Sequence, residues 1–326
     1  MRLGLMLERK EEFPFEPGDS VDLNSELFSA FEEDELLSGL RDAGYEVVRI
    51  GNARRLLNRV GYWRNRCDLV FNLSVGYRGI ERKLLAPSIL EVAGIPYVGS
   101  TPYALTLTRH KYHTKLLVAS AGVPTPRSVL VTGDQAESVE SLEYPVIIKP
   151  VAESSSIGID PVRSVVQTPK EAQELAEHML HHYRQPALVE TFVHGVEIEV
   201  PILIDPEPYA LGVVAISLGG TLVNGGTFLS SSSVYDDNYG FAEPPSFVDR
   251  ELIAKLAVQG SKILGMRDYG RLDFRVTEDM GPYFIEASTH PHIQTHSSFF
   301  WLAHQRGLAY SEMLDEIISV ARRRIF

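Results

Sequence analysis

Two short segments near the C-terminus constrain this chain most: Arg271-Leu272-Asp273-Phe274 and Pro282-Tyr283-Phe284-Ile285-Glu286-Ala287-Ser288-Thr289. Each reads as a strand, and each ends on oxygen-bearing side chains. Residues two apart on a strand share a face, which pairs Arg271 with Asp273 and Glu286 with Ser288. As neighbours, the strands would present two carboxylates, a hydroxyl and a guanidinium to one cleft. Hard oxygen donors of this kind suit Mg²⁺, which takes one or two carboxylates together with substrate phosphates. The competing reading is a solvated outer face of an antiparallel sheet.

A second segment favours the cleft. Tyr144-Pro-Val-Ile-Ile-Lys149-Pro150 is a β-branched run that delivers a lysine to the small-residue loop Glu153-Ser154-Ser155-Ser156-Ile157-Gly158. Loop amides and hydroxyls can approach phosphate oxygens while Lys149 supplies charge. The lysine precedes the loop, so this is not the G-x-x-x-x-G-K-[ST] phosphate loop. Beside the acidic strands, it reads as a MgATP site.

Composition limits the partners. A length of 326 residues allows two or three compact units. A formal net charge of −12 argues against nucleic acid or an anionic membrane as the main partner. The single cysteine, Cys67, excludes an internal disulfide framework and reads as a small buried residue in a reducing cytoplasm. The segment Met1–Glu8 lacks the apolar region and cleavage site of a signal peptide. No apolar run reaches the roughly 18 residues that span a bilayer. A cytoplasmic protein acting on small molecules is therefore expected.

Along the chain, residues 3–7 predict a strand and Ser25–Ala43 a helix ended by Gly44, followed by short apolar runs at Tyr45–Ile50 and Leu69–Leu73. Lys83–Ala93 predicts another helix. Strands alternating with helices imply a doubly wound parallel unit over residues 1–102, closed by the Gly-Ser-Thr-Pro break at 99–102. Residues 103–187 form a second expected unit. It holds a basic helix at His110–Ala121, strands at Ser128–Val131 and Pro145–Lys149, and a helix capped by Thr168 with Pro169 at its first position. Residues 188–326 are expected to be strand-rich, with strands at Pro201–Asp205 and Ala210–Ile216, the acidic pair of strands, and helices near 248–264 and 309–324. The Gly/Ser-rich segment 219–238 reads as a lid rather than a linker.

These motifs, in this order, resemble an ATP-grasp ligase, and within that fold the D-alanine–D-alanine ligase group. The likeness runs through Val70-Phe-Asn-Leu, Leu90-Glu-Val-Ala-Gly-Ile-Pro-Tyr-Val-Gly-Ser100, the Lys149 strand and its loop, Val189-Glu190…Gly195-Val-Glu197, Arg271-Leu-Asp273 and Glu286-Ala-Ser-Thr. It implies an α/β chain, α+β in its C-terminal part, with a doubly wound parallel domain ahead of the ATP-grasp units. It also implies transfer of the ATP γ-phosphate to a carboxylate, attack by an amine on the acyl phosphate, and amide formation. In that pattern Lys111 and Lys149 meet the phosphates, with Glu153 and Ser156 of the loop also on ATP. Glu190 and the Val193 backbone meet the adenine, and Glu197 the ribose. Asp273, Glu286 and Ser288 hold two Mg²⁺ ions, for which Mn²⁺ could substitute, and Arg271 stabilises the developing oxyanion. Related ligases are commonly dimers, so a homodimer is expected.

Departures from the group's pattern fall on its amino-acid side. Val75 stands where the group has histidine, His292 where it has glycine after proline, and Ser288 where it has a metal-binding asparagine. In the lid, a Lys-Tyr pair becomes Val234-Tyr235, and Ser154 replaces the first loop glycine. Glu26, Ser155 and Tyr235 would form the trio that orients the first substrate, with Glu8 and Glu32 as alternatives to Glu26. Val75, His292 and Ser297 would contact substrate. The expected function is an ATP-dependent ligase joining a pair other than two D-alanines. Rival readings are an orthodox D-alanine–D-alanine ligase, a kinase that stops at the acyl phosphate, and a non-catalytic nucleotide binder. A zinc site at His290-Pro-His292…His296 lacks a clear fourth ligand.

Overall fold

The computed structural model describes residues 1–133 and 138–326. Among these described residues, three sheets follow one another along the chain. The first has four parallel strands in the order Glu46–Arg49, Arg2–Met6, Leu69–Asn72, Tyr97–Val98. Alternation along these strands sends Leu3, Leu5 and Phe71 to a core with Leu36 and Leu40 of helix Ala30–Asp42. Met6 and Val70 enter a separate core with Ala86 and Leu90 of helix Leu85–Ala93. Both faces are covered, as a doubly wound sheet requires.

The second sheet is antiparallel, in the order Ser128–Val131, Ala187–Thr191, Val146–Pro150, Val165–Val166, and packs on helix Pro169–His182. Thr168 caps that helix and Glu171 reaches back to complete a capping box, as the Thr-Pro-Lys-Glu run predicts. The third sheet has seven strands. In it Asp268–Thr277 lies between the central strand Val196–Ile204 and the edge strand Gly281–Ser288, with helix Arg250–Ile263 on its core. The final helix, Tyr310–Ile325, packs against Ala30–Asp42, so the first and last parts of the chain share one core.

Some boundaries differ from expectation. The helix expected from Ser25 starts at Ala30, because the Ser29 hydroxyl and the Glu32 carboxylate form a capping box there. A unit boundary at 187 would cut the strand Ala187–Thr191, which lies inside the second sheet. The chain crosses to the third sheet through 192–195, where Gly195 is required: a Cβ would lie 2.5 Å from the Val276 carbonyl oxygen. The next strand begins at Val196 instead of Pro201, which carries Glu197 and Glu199 into the cleft. Helix Ser298–Gln305 lies between the two C-terminal helices expected from sequence and was not among them. No helix among the described residues is long and apolar enough to cross a membrane.

Candidate functional site

Asp273 and Glu286 are register partners on adjacent antiparallel strands, as are Arg271 and Ser288. All four line one cleft together with Ser155, Val75 and His292. The Arg271 guanidinium binds Asp273 through two bonds of 2.7 and 2.8 Å and meets Glu199 at 3.1 Å. Lys111, at the start of helix Lys111–Ser120, lies 3.1 Å from Glu286 and also donates to the Glu153 carbonyl.

A second cleft lies between the two antiparallel sheets. Ile147, Phe192, Phe228 and Ile285 give it apolar walls, and Val193, Glu197 and Lys149 lie on its lining. This is the shape of a slot for a flat ring with a polar tail. The two clefts share Lys111, Ser154, Ser156, Glu197, Leu229, Asp273 and Glu286. Ser155 and Ser156 both adopt left-handed backbone (φ 51° and 54°), with Gly158 at 79°. Residues held this way make a tight turn on the cleft wall, a place where backbone amides can meet an anion, while the Gly158 amide is already given to Asp22 at 2.8 Å.

Segment 219–238 closes over this loop. The Ser156 hydroxyl donates to the Leu229 carbonyl at 3.1 Å, and the Ser231 amide donates to Ile159 at 2.9 Å. Leu229 and Val234 line the first cleft. Tyr235 ends the short helix Ser231–Tyr235, and its side chain lies outside the described residues.

Charge in the second cleft is locked by pairing. Glu190, buried, sits between Lys149 at 2.5 Å and Lys115 at 2.7 Å. Burial alone would raise its carboxyl, but the two lysines hold it below the ordinary value. Lys149 thus faces Glu190 in this structure, while remaining on the lining of the cleft. Burial pushes Asp273, Glu199 and Glu197 upward, against the arginines beside them. Three carboxyls driven toward protonation beside an ionised Glu286 are short of positive charge. A divalent cation on Asp273 and Glu286 would supply it, so the oxygen donors fit Mg²⁺.

Several expected residues have their side-chain atoms committed to other partners, although Glu153 still lines the second cleft and Glu26 the first. The Glu153 carboxylate, expected on the nucleotide, is buried against Arg82 (2.7 Å), Arg109 (3.2 Å) and Gln185 (2.9 Å). The Tyr235 side chain lies outside the described residues; Glu26, expected to bond it and Ser155, pairs with Lys83 (2.6 Å) and Arg82 (2.8 Å). Its alternative Glu8 is spent on the Ser74 hydroxyl and the Val75 and Gly76 amides, and Glu32 caps a helix. The Ser297 hydroxyl donates to Gln294 O and accepts from Phe300 N as the cap of helix Ser298–Gln305. It is consumed there and does not line the cleft. His292 is held below the ordinary histidine value by burial. No group of three or more His, Cys, Asp or Glu side chains suited to a metal occurs among the described residues, which leaves the histidine-based zinc reading without ligands.

Other site residues were not anticipated. Glu199 lies on the wall of the first cleft. Lys83 and His290 line its inner end, and both ring nitrogens of His290 are buried without a partner. Arg275 binds the carbonyls of Gly195 and Thr227 and stands over the Phe192 ring at 4.8 Å, tying the lid base to the nucleotide cleft. Period-two spacing from Asp273 and Glu197 could have flagged Arg275 and Glu199, whereas Lys83 and His290 meet only through tertiary structure.

The family model described as D-ala D-ala ligase C-terminus matches residues 117–319. The uncharacterized protein y4sG of Sinorhizobium fredii is 31% identical over 90% of this chain and 88% of its own length. A D-alanine–D-alanine ligase of Nitrosospira multiformis is 35% identical over 71% of this chain and 73% of its own. Among solved structures, the D-alanine–D-alanine ligase of Bacillus anthracis complexed with ATP superposes with a TM-score of 0.73. It is 21% identical, over 99% of this chain and 98% of that one, and shares the ATP-grasp fold. With its parallel first sheet and its two antiparallel sheets enclosing the cleft, the chain belongs to the D-alanine–D-alanine ligase family.

Proposed function

We propose that this protein is a cytoplasmic ATP-dependent ligase that condenses a carboxylic acid with an amine through an acyl phosphate, using a pair other than two D-alanines. The observation that carries this reading is the shared wall. A slot suited to a nucleotide and a second, polar cleft meet at Lys111, Asp273 and Glu286.

The reaction needs positioning and charge neutralisation more than covalent participation by the protein. The left-handed turn at Ser155–Ser156 offers amides to the phosphates, with Lys111 alongside. Asp273 and Glu286 would hold magnesium, one ion or two, whose charge offsets that of the phosphates. The acid carboxylate takes the γ-phosphoryl group and ADP forms. The amine nitrogen then attacks the acyl carbon, and phosphate leaves with the C–O bonding pair. Arg271, held by Asp273 and Glu199, would offset the charge on the oxygen that becomes negative in that step. Glu197 and Val193 would orient ribose and adenine, and a homodimer belongs to the same reading.

Val75 and His292 favour an altered substrate pair. Val75 offers no side-chain hydrogen bond, and its amide is already given to Glu8 at 2.9 Å. The likeness to the Nitrosospira multiformis ligase favours the second reading, an orthodox D-alanine dipeptide synthase. A screen of acid and amine pairs for Mg²⁺-dependent phosphate release, with mass detection of the product, separates the two. Faster formation of D-alanyl-D-alanine than of any other product would establish the second.

A further inference from the structure

Two hydrogen-bond donors at the inner end of the substrate cleft go unmet among the described residues. Arg109, 5% exposed, and His290 both line it. Arg109 gives Nε to the Ile80 carbonyl at 2.6 Å and Nη2 to Glu153 at 3.2 Å. Its Nη1 makes no hydrogen bond and stands 3.6 Å from Glu26. Both ring nitrogens of His290 are buried and equally without a partner. An imidazole carries at least one N–H in either protonation state, so it is a second open donor. The Thr108 and Thr289 hydroxyls, 3.2 Å apart, tie together the backbones that carry these two residues. Buried donors left unmet are costly, which fits a cleft whose ligand supplies an acceptor.

Charge decides what kind of acceptor. Arg82, Lys83 and Arg109 form one buried network of ion pairs with Glu26 and Glu153, so three cations share two carboxylates. Glu8, whose charge also reaches Arg82, is already given to the Ser74 hydroxyl and to two backbone amides. Burial, with Arg109 and Arg82 beside it, lowers Lys83 to about 8 despite Glu26. Burial lowers Arg109 as well. A neutral acceptor would satisfy the donors only, whereas a carboxylate also balances the third cation. The part of the cleft at Arg271, Asp273 and Glu286 remains for the carboxylate that reacts.

We propose that the acid activated by this ligase carries a second carboxylate, which seats at the inner end of the cleft on Arg109 Nη1 and His290. This rests on the ligase reading and names its acid class: a dicarboxylate, one end of which takes the γ-phosphoryl group while the other is held.

The test uses the full chain with MgATP and hydroxylamine, a small amine that captures an acyl phosphate as a hydroxamate. One acid oxygen attacks the γ-phosphorus and ADP leaves. The hydroxylamine nitrogen then attacks the acyl carbon and loses a proton, and phosphate leaves with the C–O bonding pair. Succinate, glutarate and adipate are compared with their half-amides, with butyrate and with D-alanine. The best dicarboxylate should exceed its half-amide and butyrate in kcat/KM by roughly tenfold to a hundredfold, mainly through KM, the range for hydrogen bonds to a charged group. His290→Leu should cut the dicarboxylate-to-half-amide ratio about tenfold. His290→Asn, which keeps one donor, should retain part of the ratio and serves if the Leu variant does not fold. A ratio near one for every dicarboxylate, with other acids activated, overturns the proposal and leaves the ligase reading standing. A ratio unchanged in both variants overturns it too, as does D-alanine reacting faster than every dicarboxylate. No hydroxamate from any acid would remove the ligase reading as well, a result distinct from the others.

Discussion

The Lys111 ammonium lies 3.1 Å from the Glu286 carboxylate, at the wall that the two clefts share. Glu286 is an expected magnesium donor, and its loss also strands Lys111. Glu286→Gln should lower turnover by at least about a hundredfold, the scale for removing a pre-organised charge partner. Phosphate-release kinetics alongside a thermal melt check this; near-normal turnover in a folded variant contradicts it.

The Lys115–Glu190–Lys149 triad predicts an asymmetry in stability. Removing either lysine leaves one ion pair, whereas removing the carboxylate leaves two buried ammonium groups. Burial already lowers Lys115 to about 8. Glu190→Gln should therefore cost roughly 3–5 kcal/mol, the range for breaking a buried pair, and Lys149→Met clearly less. Urea unfolding of both variants decides it, and equal losses would show that the triad is not energetically coupled.

His290 predicts a pH effect. Burial, with Lys83 nearby, lowers its ring to about 3. The unfolded chain binds a proton near pH 6.5 that the folded state refuses, so stability is lost as pH falls from about 6.5 toward 3. Asp273, raised by burial, acts in the opposite direction, so the comparison must be between variants. His290→Asn should lose less stability than the parent between pH 6.5 and 4. Parallel curves in melting experiments would refute this.

Glu197 lies on both cleft linings, 4.0 Å from Arg275. As the proposed ribose reader it offers two acceptor oxygens. Glu197→Ala should raise the KM for ATP by about tenfold and lower kcat less, the pattern of lost ground-state binding. An unchanged KM for ATP excludes the role.

What the chain revealed in advance was local. The period of two put Arg271 and Asp273 on one face, and the structure pairs Asp273 with Glu286 across the neighbouring strand. Thr168 and Glu171 marked their helix through a capping box. Glu153 and Glu26 do line the two clefts, but their cation partners were not legible in the sequence, for a physical reason. Their partners Arg82 and Arg109 lie far away in sequence, and a carboxylate's role depends on which cation reaches it first. Helix Ser298–Gln305 was hidden because Phe299, Phe300 and Trp301 give a continuous apolar run without helical periodicity. Ser297, its cap, was the available signal and was read as a substrate contact.

The central claim is tested most directly by one assay. Purified protein is incubated with MgATP and pairs of acids and amines, and phosphate and condensed product are quantified together. Phosphate should appear only when Mg²⁺, an acid and an amine are all present, in one-to-one ratio with an amide product. Phosphate release that ignores the acid and amine, or none from folded protein across the whole panel, would contradict the account.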